Sequence, residues 1–278
     1  MTAIVDCNSV CHRVWYTLGD LSFEEKKVGV LFGFLRQLLT IAKRLKTNKF
    51  IFCWDSKSRK RIEICPTYKS NRVKARTEEE EEDITAAYAQ FTLLRKEILP
   101  KIGFKNNFYA EGYESDDIIA KIVKEYNHNF VIVSTDGDLY QLLNDNVSML
   151  TDNKKPFYTK ESFKAQYDIL PCQWPLVKSI AGCKSDNVIG VRGVGDKTAI
   201  KYLNNELPKT SKAYKVIESN YELLNLQLVH LPFVGIGRFP LVKDKLSFDG
   251  LLEVCNQYGF YSLTTKESIK VWKEIFFL

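Results

Sequence analysis

The chain has 278 residues, with 40 Lys and Arg against 34 Asp and Glu, a formal charge of +6. At 45% hydrophobic and 27% charged residues its composition is ordinary for a globular protein, which excludes a wholly disordered or collagen-like chain and leaves ample core for one large domain or two small ones. The mild positive balance permits an anionic partner without demanding one, so the placement of the charges has to decide.

The N-terminus runs straight into a strand-like segment with no basic stretch ahead of it, so no signal peptide is expected. Short, apolar, β-rich runs at 3–5, 49–54 and 130–134 predict buried strands, and apolar residues at helical spacing predict helices over 25–45, 84–99 and 115–126. This alternation implies an α/β fold with a mostly parallel central sheet flanked by helices, where ligands meet the carboxyl ends of the strands. From about residue 159 the strand signals fade. Helical patterns at 160–167, 173–181, 196–203, 211–218, 221–228, 249–258 and 266–275 make the second part mainly α, and two Pro and two Gly mark 231–240 as a loop. The expected domains are therefore 1–158 and 159–278. The longest apolar stretch, 28–42, is broken by Arg36 and Gln37 and is too short and too polar to span a bilayer. Seven cysteines (7, 11, 53, 65, 172, 183 and 255), odd in number and without a C-x-x-C pair, read as free thiols in a reducing compartment. Three scattered His make a zinc site unexpected. A cytoplasmic monomer with no membrane partner is expected.

Two segments are extreme in charge. Residues 57–76 hold eight basic side chains and one acid, Glu63, and six acids follow at 78–83. The acidic run suits a helix N-terminus. The basic run directly follows a strand that ends on Asp55, which favours an anionic ligand there.

Acidic residues recur where strands end. Asp6 and Asp55 follow the first two strands, Glu114, Asp116 and Asp117 open a helix, and Asp136 and Asp138 follow the strand at 130–134. Capping or turn formation explains either later cluster taken alone. A parallel sheet, however, gathers strand ends on one edge, and carboxylates crowded there repel one another unless cations neutralise them. No Cys or His joins this set, so its hard oxygens select Mg²⁺ or Mn²⁺ over zinc. Beside a run of Lys and Arg, such a site suits two-metal phosphodiester hydrolysis.

The stretch Gly193-Val-Gly195-Asp-Lys197-Thr198-Ala199 reads as a tight turn opening a helix. Glycines admit close approach of a ligand, and free amides at the helix start can hold a phosphate. Lys197 and Lys201 fall on one face and add charge, so contact with a nucleic-acid backbone would be indifferent to sequence. A dinucleotide loop is disfavoured because the glycines follow a helix and no G-x-G-x-x-G occurs. A plain structural hairpin stays open.

Taken in order, these motifs resemble the 5′-nuclease (flap endonuclease) superfamily, in particular bacteriophage enzymes and the 5′-nuclease domain of bacterial DNA polymerases. The resemblance covers about residues 3–205, with a weaker echo at 228–240 and 248–263. It rests on Val5-Asp6-Cys-Asn8-Ser9, on Asp55 followed by Arg61, Tyr68, Lys69 and Arg72, on Gly112-Tyr-Glu114-Ser-Asp116-Asp117, on Thr135-Asp136-Gly-Asp138, and on the hairpin from Ser185-Asp186 to Ala199. It implies a PIN-like domain with a helical arch at about 57–99 and a helix–three-turn–helix element at about 185–205. Asp6, Asp55, Glu114, Asp116, Asp117, Asp136, Asp138 and Asp186 match metal carboxylates, expected to hold two Mg²⁺ with Mn²⁺ as a substitute. Lys69 and Arg72 match the basic pair at the base of the arch and are the expected catalytic cations. Arg61, Tyr68, Gly193, Gly195, Lys197, Thr198 and Lys201 are the expected DNA contacts, Tyr68 either stacking on a base or packing as a structural tyrosine. A K⁺ ion is expected at the hairpin.

The implied activity is 5′→3′ exonuclease and 5′-flap endonuclease cleavage near junctions of single strand and duplex DNA. A nuclease that removes RNA primers from RNA–DNA hybrids, and a non-catalytic binder of branched DNA, are the alternatives. A DNA polymerase or a single-strand-binding protein would act in trans. Two positions depart from the pattern. Cys183 stands where the polymerase-type family has Asp, three residues before Asp186, which removes one carboxylate from the second metal site. The acidic run at 78–83 sits in the arch, facing solvent or guarding its opening.

Overall fold

The computed structural model describes residues 1–72, 77–220 and 235–277. Its central sheet is wholly parallel. The strands are β1 (Thr2–Asp6), β4 (Phe50–Trp54), β5 (Asn107–Tyr109), β6 (Phe130–Val133) and β7 (Val147–Leu150), in the order β5-β4-β1-β6-β7. Two short antiparallel strands, β2 (Ser22–Phe23) and β3 (Lys26–Lys27), form a separate ribbon. In the pairing of β1 with β4, Ala3 lies opposite Phe50 and Ile4 opposite Ile51, so successive side chains feed opposite faces of the sheet. Both faces are covered, which is why these strands read as continuous apolar runs rather than alternating ones.

On one face Ala3, Val5, Phe50, Phe52, Trp54, Val131 and Val133 pack under helices α1 (Cys7–Leu18), α2 (Gly29–Leu45), α4 (Glu78–Leu93) and α5 (Leu99–Ile102). The chain's last helices, α11 (Phe248–Gln257) and α12 (Lys266–Trp272), return to this same core through Leu251, Val254, Cys255 and Trp272. On the other face Ile4, Ile51, Cys53 and Ile132 pack under α6 (Ser115–Glu125), α7 (Lys160–Tyr167), α8 (Trp174–Ala181), α9 (Asp196–Leu203) and α10 (Lys212–Asn220). A short helix, α3 (Arg59–Ile64), follows β4.

The strands expected at 3–5, 49–54 and 130–134 are β1, β4 and β6. The edge strands β5 and β7, and helix α1, were not anticipated. The acidic run opens α4, the helix start that its acids suit. Thr77 and Glu80 make a reciprocal capping box, and Glu78 to Glu82 face solvent. Further along α4, the buried Gln90 turns its amide oxygen onto the backbone N–H groups of Val30 and Leu31, at 3.0 and 3.3 Å. Helix α2 has no capping side chain of its own at this end. Helix α4 therefore caps α2, satisfying two donors that would otherwise be orphaned. The helical pattern at 221–228, the loop residues 231–234, most of the echo at 228–240, and Lys74 and Arg76 of the basic run lie outside the described residues. Among the described residues no helix is long and apolar enough to cross a membrane.

Candidate active site

Because all five strands run the same way, their carboxyl ends share one edge, and the chain places its acids there. Asp6 ends β1 and caps α1, its Oδ1 accepting from the Ser9 amide at 3.2 Å. Asp55 follows β4, and its amide donates to Asn8 Oδ1 at 3.1 Å. Two serines connect the acids. Ser115, buried at the start of α6, donates its hydroxyl to Asp6 Oδ1 at 3.2 Å and its amide to Asp55 Oδ1 at 2.7 Å. Ser134, fully buried after β6, donates to Asp6 Oδ2 at 2.7 Å and accepts from the Asp136 amide at 3.1 Å. Asp136 in turn accepts from the Asp138 amide at 2.9 Å. Neither serine was among the expected site residues; their signal was position alone, Ser115 between two acids at a helix start and Ser134 two residues before Asp136 at a strand end.

Crowding shows in the proton affinities. Burial, then Asp55, pushes Asp6 up to about 7. Burial, then Asp136 and Asp6, raises Asp116 well above the usual carboxylate range. Burial, then Glu114, raises Asp55, and burial, then Asp136, pushes Asp138 up to about 6. Among the described residues none of Asp6, Asp55, Asp116, Asp136 and Asp138 has a Lys or Arg nitrogen within 4.0 Å.

Glu114 and Asp117 differ, because protein cations hold them. Lys69 Nζ lies 2.7 Å from Glu114 Oε1, and Ser58 donates to the same oxygen. Burial pushes Glu114 up, but Lys69 and Arg61 together outweigh it and hold it below its ordinary value. Asp117 Oδ1 meets Arg61 Nη2 at 2.9 Å, while its Oδ2 accepts from the Glu114 amide at 3.0 Å, closing a capping box on α6. The capping role open to this cluster is thus what Asp117 performs.

Two expected DNA contacts lie inside the protein. Arg61 and Tyr68 are each 4% exposed. Tyr68 donates to Glu114 Oε2 at 3.2 Å, and the Arg61 guanidinium lies over its ring. Tyr68 is therefore packed and has no free face for a base, and Arg61 is the buried counter-charge of Asp117 and Glu114. Burial works against the Arg61 charge, but those carboxylates outweigh it and raise its pKa.

Segment 67–72 is stapled to segment 184–187. The Lys69 amide donates to Asp186 O at 2.9 Å, Arg72 Nε to Ser185 O at 3.0 Å, and Asn187 Nδ2 to Thr67 O at 2.9 Å. Lys69 holds a left-handed backbone, φ 55°, which non-glycine residues adopt only when their surroundings enforce it. The staple sets Lys69 Nζ between Glu114 and Asp186, 3.9 Å from Asp186 Oδ1, and Arg72 Nη2 2.7 Å from that same oxygen. Asp138, Asp186 and the buried Cys183 form a compact group, each offering one ligand atom within 4.8 Å of the others. Beyond this group the hairpin opens to solvent. Gly193 sits at φ 80°, and a methyl group added at its Cα would meet nothing within 4 Å. Gly195 is equally open at the start of α9. Lys197 and Lys201 are exposed and Thr198 is half-buried.

An open-edged parallel sheet with this acidic margin and its two adjoining cations has the layout of a nuclease. The profile of the 5′–3′ exonuclease N-terminal resolvase-like domain matches residues 1–168, and the chain belongs to that family, within the 5′-nuclease superfamily. The chain is 30% identical over 220 residues to a 5′–3′ exonuclease of Mycoplasmopsis pulmonis, covering 78% of this chain and 70% of that protein. It resembles the T5 5′-exonuclease solved with bound zinc at a TM-score of 0.70 and 27% identity, covering 83% of this chain and 89% of the other. The bacteriophage T5 D15 flap endonuclease, in a pseudo-enzyme–product complex with DNA and metal ions, gives a TM-score of 0.67 at 25% identity, with 82% and 87% covered.

Proposed function

We propose that this nuclease is a 5′→3′ exonuclease and 5′-flap endonuclease that hydrolyses phosphodiester bonds where a 5′ single strand meets duplex DNA, using Mg²⁺, with Mn²⁺ as a substitute. The observation that carries the reading is the row of crowded, mutually repelling carboxylates, Asp6, Asp55, Asp116 and Asp138, with no cation partner among the described residues, set directly beside Lys69 and Arg72. The donor set fits divalent cations: Asp6, Asp55, Asp116 and Asp136 offer only oxygen, and the raised proton affinities of the first three mark uncompensated negative charge. Bound there, such ions supply Lewis acidity toward the scissile phosphate and its attacking water. Glu114 keeps Lys69 protonated and in place, so Lys69 and Arg72 stand ready as preorganised cations for charge developing on the phosphoryl oxygens. Arg61 and Tyr68 act one step back, as positioning residues that hold Glu114 and Asp117. The amides around Gly193 and Gly195, with Lys197, Thr198 and Lys201, grip the duplex backbone in this reading, the role of a helix–three-turn–helix element, with K⁺ as the ion expected there.

The test is a labelled 5′-flap duplex incubated with the protein and Mg²⁺ or with a chelator. Cleavage at the junction, only with metal, is expected. Binding without cleavage under every divalent ion would overturn the enzymatic reading in favour of a branched-DNA binder. Faster removal of an RNA-primed than of a DNA-primed 5′ end would move the substrate class to RNA–DNA hybrids.

A further inference from the structure

The geometry points to Cys183 as a metal ligand of this chain's own, making the Asp138–Asp186 end of the centre a mixed sulfur–oxygen site that prefers thiophilic divalent ions such as Co²⁺, Zn²⁺ or Cd²⁺ to Mg²⁺. The inference rests on the proposed metal-dependent reading and adds that the two ends of the acidic row differ in kind.

The donors come from separate parts of the chain, Asp138 from the turn after β6 and Cys183 and Asp186 from the loop after α8, yet their ligand atoms lie within 4.8 Å of one another. The loop is closed on itself. Cys183 and Val188 exchange both backbone hydrogen bonds at 2.9 Å, and the Asp186 amide donates to Cys183 O at 3.2 Å, so both side chains project to one side. Arg72 engages Asp186 Oδ1, whereas Oδ2 faces the sulfur, 3.5 Å away. The Ser185 hydroxyl lies 3.0 Å from the same sulfur. Cys183 packs against Tyr68 and Val188 on one side and stands with two carboxylates on the other, whereas Cys7, Cys11 and Cys53 lie within the large apolar clusters on the two faces of the sheet. One thiolate among oxygen donors shifts selectivity away from hard Mg²⁺. On ligation the S–H bond breaks, its proton passes to solvent, and the sulfur–metal bond forms.

The experiment is a Co²⁺ titration of the full chain, followed by thiolate-to-cobalt charge-transfer absorption. It is repeated with Cys172→Ser, which removes an exposed thiol, and with Cys183→Asp. Calorimetry with Cd²⁺ and Mg²⁺ runs alongside. The band is expected in wild type and Cys172→Ser and lost in Cys183→Asp, and the Cd²⁺-over-Mg²⁺ affinity ratio is expected to fall at least about tenfold in Cys183→Asp, since even outer-shell partners of metals are worth that much. Calorimetric Co²⁺ binding without the band in wild type, or a band that survives in Cys183→Asp, overturns the assignment. Flap cleavage in Mg²⁺ measured on the same preparations separates the failures. Cleavage without the band defeats only the ligand role of Cys183, whereas no cleavage with any metal defeats the metal-dependent reading beneath it.

Discussion

Replacing Arg61 with Met tests how the carboxylates are held. The Arg61 side chain is 5% exposed and that of its partner Asp117 is 1% exposed. Removing the guanidinium leaves Glu114 with Lys69, Ser58 and Tyr68, so Glu114 stays compensated. Among the described residues Asp117 keeps the Glu114 amide alone and becomes a buried carboxylate without a cation. Breaking such a pair costs about 3–5 kcal/mol, most of it falling here on Asp117. The exposed Lys60–Glu63 pair, with side chains 45% and 62% exposed, provides the internal control: Lys60→Met should cost less than about 1 kcal/mol. The assay is urea unfolding of both variants, metal-free and at neutral pH. Burial already raises Asp117 against the pull of Arg61, and without Arg61 its folded pKa rises further. The folded variant then takes up a proton more readily than its unfolded chain, so its deficit should shrink as pH falls toward the carboxylate range. Adding Asp117→Asn should recover part of the loss. A deficit as small as that of Lys60→Met, or one unchanged by pH and by Asp117→Asn, would refute the buried pair.

Lys69→Ala should lower kcat by about 10²-fold with KM little changed, as loss of a preorganised charge does; steady-state kinetics on the flap duplex decides, and a rise in KM alone would make Lys69 a gripping residue. For the metal-free protein, Asp6 raised to about 7 and Asp138 to about 6 mean that the folded state binds protons the unfolded state has released, so stability should decline as pH rises from about 4 to about 7. Thermal melts should therefore show a larger Mg²⁺ stabilisation at mildly alkaline than at mildly acidic pH, and equal shifts would contradict the crowding. Replacing Lys197 and Lys201 together with Ala should weaken duplex binding and flatten the dependence of log affinity on log salt by about 2; an unchanged slope would place the backbone grip elsewhere.

The buried strands β1, β4 and β6 were legible because two-sided burial leaves uninterrupted apolar runs. β5 is a three-residue edge strand with no fully buried side chain, and Ser148 interrupts β7, so neither leaves a continuous apolar run. Helix α1 does carry a buried stripe, Cys7, Val10, Cys11 and Val14 at helical spacing, but its β-branched and aromatic residues mask it. The acids were legible because a parallel sheet brings strand ends together whatever lies between them. Arg61 was not, while for Tyr68 the packed reading stood beside base stacking and is the one the structure shows. In a run of eight basic residues every cation reads as surface, and the partner that draws Arg61 inward, Asp117, lies 56 positions away. Cys183 was legible as a departure, but its closeness to Asp138 depends on how the 183–188 loop folds against the turn after β6.

The central claim, that the acidic edge performs metal-dependent chemistry on DNA, is tested most directly by Asp116→Ala, with flap cleavage and flap binding measured on one preparation. Cleavage should fall by about 10²-fold or more, with affinity for the flap duplex nearly unchanged. Unchanged turnover in Asp116→Ala would contradict it.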